Sequence, residues 1–117
     1  VKQPVDGLLL SNALRMGVTG MLKTLSNEVG PEGIRVNMIL PGWTKTERAT
    51  KLLASRAEKA GTTAEEQEQQ MTAQVPLRRM GRPEEFARAA VFLASPAASY
   101  TTGMSLLVDG GIYKGSL

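Results

Sequence analysis

The chain is 117 residues long, 42% apolar and 21% charged, with 14 Lys and Arg against 11 Asp and Glu. It contains no Cys and no His, which excludes a disulfide framework, Cys- or His-based zinc, haem or iron–sulfur sites, and Cys–His or Ser–His–Asp nucleophilic machinery within these residues. No apolar run approaches the roughly 20 residues that span a bilayer, and the net charge of +3 is scattered, without the aromatic-studded basic stripe of a nucleic-acid reader.

Neither a membrane nor a nucleic acid is therefore an expected partner. The length allows one domain at most. With no basic-then-apolar leader or other address in the residues, the expected location is cytoplasmic. The sequence opens on Val1 without a Met, so these residues are expected to belong to a longer chain.

Residues 8–29 carry Leu14, Val18, Met21, Leu22, Leu25 and Val29 at the 3.6-residue period, which predicts one long amphipathic helix. Gly17 and Gly20 inside it each cost roughly 1 kcal/mol relative to Ala, an expense that predicts close approach of another backbone there. Met16, Met21 and Met38 read as core fillers. Gly30-Pro31-Glu32-Gly33 stops the helix.

The run Ile34–Leu40 is β-branched and apolar, predicting a buried strand that Pro41-Gly42 ends. A charged helix is expected over about 46–60, then Gly61, then a capping box in Thr62–Glu66 that opens a short helix to about Ala73. This polar stretch, about 43–75, reads as a flap. Pro83-Glu84-Glu85 suits a helix first turn and predicts a helix to about Ser95. Met104–Val108 reads as a second buried strand closed by Asp109-Gly110-Gly111. Two such strands joined through a helix imply a parallel βαβ unit. The predicted fold class is α/β, the C-terminal part of a doubly wound parallel-sheet fold, which by itself is expected to be unfolded, molten or self-associating.

Four ordered segments resemble the short-chain dehydrogenase/reductase family. They are Gly20–Val29 with Pro31–Asn37; Pro41-Gly42 with Thr46; Pro76-Leu77 through Gly81-Arg82-Pro83-Glu84-Glu85 to Ser95; and Thr102-Gly103 through Val108-Asp109-Gly110-Gly111. The resemblance implies that residues 1–117 are the C-terminal portion of a single NAD(P)-binding Rossmann-type domain. It implies an NAD(P)-dependent oxidoreductase moving hydride between nicotinamide and a small-molecule carbonyl or alcohol, assembled as a homodimer or homotetramer through the long helix and last strand. The family's glycine-rich turn, its NAD- or NADP-selecting residue and its catalytic Ser are not in these residues.

In register, the family's catalytic Tyr and Lys fall on Ser11 and Arg15, a departure from its pattern. The candidate catalytic residues are thus Ser11 and Arg15, with Arg15 also a ribose contact because a guanidinium donates several hydrogen bonds. The bland alternative is a polar pair on a half-exposed helix. Pro41, Gly42, Thr44 and Thr46 are the candidate nicotinamide loop, at the strand end where open α/β sheets bind ligands; the plain alternative is a turn with Thr46 as N-cap. Asn37, Asp109 and Gly110-Gly111 read as structural, and Arg78, Arg79 and Arg82 as solvated or subunit-contact residues, with approach to a cofactor phosphate as the alternative. No metal site is expected. Two other functions stay open: a cofactor-binding relative with weak catalysis and a regulatory or scaffold role, or an inactive truncated fragment.

Overall fold

A computed structural model describes Pro4 and residues 7–115. Helix α1 spans Leu9–Val29, β1 Met38–Pro41, α2 Glu47–Ala60, α3 Ala64–Thr72, α4 Pro83–Ala94 and β2 Ser105–Val108. Short 3-10 turns lie at Gly30–Glu32 and Pro96–Ala98. The strands are neighbours in one sheet. Met38 N–H donates to Met104 O (2.9 Å) and Gly42 N–H to Val108 O (3.0 Å), so the partner advances with the strand and the pair is parallel.

That alternation explains Pro41. Residues 38 and 42 give their amides to the neighbour, whereas position 41 has its amide side turned away and loses no bond by being proline. Pro41 is consequently the last strand residue, where the sequence had it ending the strand. The strand also starts later than expected, at Met38, and residues 34–37 lie outside it, with Val36 held by other contacts. Val36 O accepts Gly103 N–H (2.7 Å) and Val36 N–H donates to Thr102 Oγ1 (3.1 Å).

The chain forms two compact units, one of residues to Leu40 with Ala89–Leu107, the other of Pro41–Arg88 with residues from Val108. In the first, Leu40, Leu93 and Ala98 are buried. Asn37 clamps the turn before β2, its Nδ2 donating to Thr101 O (2.8 Å) while Oδ1 accepts Met104 N–H (3.3 Å). The guanidinium of Arg35 donates to the carbonyls of Leu93 (2.8 Å), Ala98 (2.9 Å) and Ser95 (3.2 Å), satisfying acceptors in the last turn of α4 and just beyond it. Arg35→Ala should destabilise the fold by about 2–3 kcal/mol, since charge-assisted bonds to partly buried carbonyls are lost together; urea unfolding measures it.

Helix α1 corrects two expectations. Its Leu14 and Met21 are 72% and 59% exposed, and Ser26 is its one buried residue, so Met16 and Met21 are not core fillers among the described residues. Nothing lies within 4 Å of a side chain built at Gly17 or Gly20. The close approach occurs one to two turns later, where a Cβ on Gly103 would sit 2.7 Å from both Lys23 Nζ and Ser26 Oγ. The apolar stripe follows the helical period: Leu22 lines a cleft with Val36, Met38 and Met104, while Leu14, Val18, Met21 and Leu25 are exposed.

In the second unit α2 packs on α3, with Leu53, Ala57, Val75 and Met80 buried. Both helices start as the sequence specifies. Thr46 Oγ1 accepts Ala49 N–H (3.3 Å), and Thr63 and Glu66 form a reciprocal capping box. Asp109 ties the turn after β2, accepting from Gly111 N–H (2.9 Å) and Tyr113 N–H (3.1 Å). Gly110 and Gly111 take the left-handed φ values this turn requires.

Candidate functional site

Ser11 and Arg15 stand one turn apart on α1, which brings their side chains together as the i, i+4 spacing dictates. Arg15 Nε donates to Ser11 Oγ at 3.0 Å. That bond uses one guanidinium donor and leaves the four N–H of the Nη groups to a ligand. Ser11 is half-buried and Arg15 exposed.

The other candidates form the connection from β1 to α2, in the second unit. Gly42 N–H is bonded to β2, and a Cβ at Gly42 would lie 2.6 Å from Asp109 Cα and 2.9 Å from its carbonyl oxygen. Glycine is thus required here by the neighbouring backbone. Two residues on, Thr44 pairs with Gly81 in an isolated parallel bridge: Gly81 N–H donates to Trp43 O and Lys45 N–H to Gly81 O, both at 2.9 Å. A parallel bridge of this kind uses the groups flanking Thr44 and turns Thr44's own N–H and C=O to the opposite side. Thr44 Oγ1 reaches back to Gly42 O (3.4 Å), and Thr46 serves as N-cap. A hydroxyl that accepts at a cap still has its proton to donate. The loop therefore presents one backbone amide and one hydroxyl proton beside the exposed end of β1, a donor set suited to a neutral amide group.

Sequence reading missed what lies beside this loop. Arg79, expected in solvent or at a subunit contact, makes a two-point ion pair with Glu85, Nη1 to Oε2 and Nη2 to Oε1, both 2.8 Å. Arg82 Nη2 lies 3.5 Å from the same carboxylate, and Arg78 turns its side chain to Ala73 O. The basic cluster is spent on local contacts. Glu85 is the third residue of α4, and its carboxylate also accepts Arg82 N–H at 2.7 Å. With Arg79 first among the causes, its pKa falls to about 2.

The sign follows: a depressed carboxyl favours the fold above its ordinary value near 4.5, and that contribution disappears as pH falls through about 2. Carboxyl-carbon NMR should place the Glu85 midpoint near 2, moving back toward the ordinary range in Arg79→Met. Trp43, Leu77, Arg79, Gly81 and Asp109 line a shallow cleft over this pair. Among the described residues no cluster of carboxylates could hold a metal, and no helix is long and apolar enough to cross a membrane.

Residues 3–113 match the protein family described as Enoyl-(Acyl carrier protein) reductase. The chain is 44% identical over 100 residues to the 3-oxoacyl-[acyl-carrier-protein] reductase FabG of Chlamydia trachomatis, covering 86% of this chain and 36% of that one. Among solved structures it is similar to YwfH, an NADPH-dependent reductase involved in bacilysin biosynthesis. There the TM-score is 0.86 at 31% identity, over 97% of this chain and 43% of the other. It is also similar to an NADPH-bound short-chain oxidoreductase from Pseudomonas aeruginosa PAO1 containing an atypical catalytic centre, with TM-score 0.82 at 34% identity over 97% and 42% of the two chains. The chain spans little more than a third of the length of the curated relatives it matches. With its ordered motifs, parallel strand pair and family match in agreement, the chain belongs to the short-chain dehydrogenase/reductase family.

Proposed function

We propose that this chain serves an NAD(P)-dependent oxidoreductase that interconverts a small-molecule carbonyl and its alcohol. The observation that carries the reading is the β1–α2 connection, where Thr44 N–H is left facing away from its backbone bridge at the end of a parallel strand. Strand ends of this kind are where open α/β sheets take ligands. In this reading Thr44 N–H and the Thr46 hydroxyl hold the nicotinamide carboxamide, with Pro41 and Gly42 setting the loop's path. Arg15 donates from its Nη groups to the ribose hydroxyls. The bound cofactor supplies the hydride. Ser11 Oγ, already accepting from Arg15, orients a water or the substrate oxygen through its own O–H.

What these residues lack is a phenol. Proton delivery falls to Ser11 or a water it holds, and an alcohol hydroxyl is a far weaker acid than a tyrosine near 10. That favours, as a second reading, a relative that binds cofactor and turns over slowly. The Pseudomonas aeruginosa relative, which contains an atypical catalytic centre, gives that reading a parallel in the family. We further infer a cytoplasmic protein assembling as a homodimer or homotetramer, for which the exposed apolar residues of α1 supply a surface.

The test is to express the full-length gene product and follow NADPH and NADH oxidation with a β-keto thioester, a ketose and an aromatic ketone. Saturable turnover with one of these supports the enzyme. Cofactor binding without turnover supports the second reading, and absence of both contradicts the proposal.

A further inference from the structure

The Arg79–Glu85 pair lies outside the candidate machinery, yet its geometry converges on it. The two parallel hydrogen bonds between guanidinium and carboxylate fix both planes, which a single-point ion pair does not. Arg79 Nη1 also donates to Met80 O at 3.0 Å. On the other side of Gly81, Arg82 N–H donates to the same carboxylate. The pair therefore reaches the chain on both sides of Gly81: Arg79 donates to Met80 O immediately before it, and Glu85 accepts Arg82 N–H immediately after it.

Gly81 in turn is the residue that meets the candidate loop. Its N–H and C=O make the two bonds to Trp43 O and Lys45 N–H that bracket Thr44. An isolated bridge of two bonds has no ladder to keep it in register. The approach to Gly81 also runs through Arg78, a non-glycine residue at φ 55°, a conformation that persists only where the surroundings impose it. Beyond Gly81, Pro83 starts α4. The clasp supplies the missing restraint on both flanks. A surface pair is worth little in stability by itself, since exposed pairs contribute marginally; this one links the Met80 carbonyl to the helix-cap amide of Arg82, on opposite sides of Gly81.

We propose that Arg79 and Glu85 are positioning residues, whose two-point pair holds Gly81 as the template that aims the Thr44 amide and the Thr46 hydroxyl at the cofactor. The inference rests on the oxidoreductase reading for its cofactor half. Its loop half stands on the geometry alone.

The experiment compares Glu85→Gln and Arg79→Lys with the wild-type full-length gene product, using Glu84→Gln as the control on the same helical turn. Glu85→Gln keeps the shape and an acceptor oxygen while removing the charge. Arg79→Lys keeps the charge but cannot make both bonds. Two quantities are read, amide hydrogen exchange resolved to Lys45 and Gly81, and NADPH affinity by titration calorimetry.

Both variants should speed exchange at Lys45 and Gly81 by about 10-fold and weaken NADPH binding by about 10-fold, since small misplacement of a positioning group is costly. Exchange in β1 and β2 should stay as in the wild type, and Glu84→Gln should change neither quantity. A uniform rise in exchange across the fold, with NADPH affinity intact, would make the pair an ordinary stabilising contact and overturn the proposal. So would unchanged exchange at Lys45 and Gly81. Faster local exchange with unchanged affinity overturns the cofactor half. If the wild type binds neither NADPH nor NADH, the oxidoreductase reading fails and takes the cofactor half with it, while exchange still decides whether the clasp sets the loop.

Discussion

Turnover of the full-length gene product should rise by about 10²–10⁴-fold when Ser11→Tyr and Arg15→Lys are installed together, the range that a positioned general acid contributes. The two positions share one face of α1, and Arg15 Nε already reaches Ser11 Oγ at 3.0 Å. A phenol and an ammonium placed there can interact. The positive charge favours the phenolate and draws the phenol's pKa down from near 10, making it a better proton donor. NADPH affinity should change little, because a cation stands at position 15 in both proteins. Ser11→Tyr alone should give part of the rise, because the Arg15 guanidinium also places a positive charge beside the phenol, though a planar guanidinium and a compact ammonium do not position it alike. Arg15→Lys alone should give little, because Lys beside Ser has no phenol to act on. Steady-state kinetics on the four proteins forms a double-mutant cycle that measures this coupling. Additive single effects would show that positions 11 and 15 do not act as a unit.

Gly42→Ala should be the most damaging single substitution in the β1–α2 connection, destabilising by about 1–3 kcal/mol or more through overpacking. The new methyl would meet the Asp109 Cα at 2.6 Å, its Cβ at 2.8 Å and its carbonyl oxygen at 2.9 Å. These are not the tips of flexible side chains, so β2 and the loop must part. The Gly42 N–H bond to Val108 O is the first casualty, and the Thr44–Gly81 bridge two residues on moves with it. Thermal unfolding reports the stability cost, and NADPH affinity reports the displaced loop. A Gly42→Ala protein with wild-type stability would mean that the two strand ends separate at no cost.

These two positions also show what a sequence can and cannot disclose. The long helix, the capping box at Thr63–Glu66 and the parallel strands were legible because each is specified by local spacing or by apolar runs of fixed length. Asn37 and Asp109 were legible as structural because short amide and carboxylate side chains at strand ends bond backbone amides. Ser11 and Arg15 were readable as a pair from i, i+4 alone. What remained hidden depends on residues distant in the chain. The need for glycine at position 42 comes from Asp109, and the ladder that joins them exists only once the register of β1 on β2 is set.

Arg79 and Glu85 are six residues apart, a separation that no regular element brings into contact. Their pairing needs the turn through Arg78 and the start of α4 at Pro83. One signal was available: Glu85 sits third in a helix whose start Pro83 announces, the position from which a carboxylate reaches back to the cap amide. In α1 the apolar period is real, but Met16 and Met21 are exposed and not core fillers, because periodicity gives a face and not the partner that covers it.

The nicotinamide assignment is tested most directly by titrating the folded full-length gene product with NADPH and with NADH in a calorimeter. The account predicts saturable binding of at least one of them, retained in Ser11→Ala and weakened about 10-fold or more in Arg15→Ala with the fold intact by circular dichroism, as expected when a guanidinium's charge-assisted bonds are removed. Saturable binding that Arg15→Ala leaves unchanged would remove Arg15 from the ribose. No saturable binding of either nucleotide by the folded protein would contradict the account as a whole.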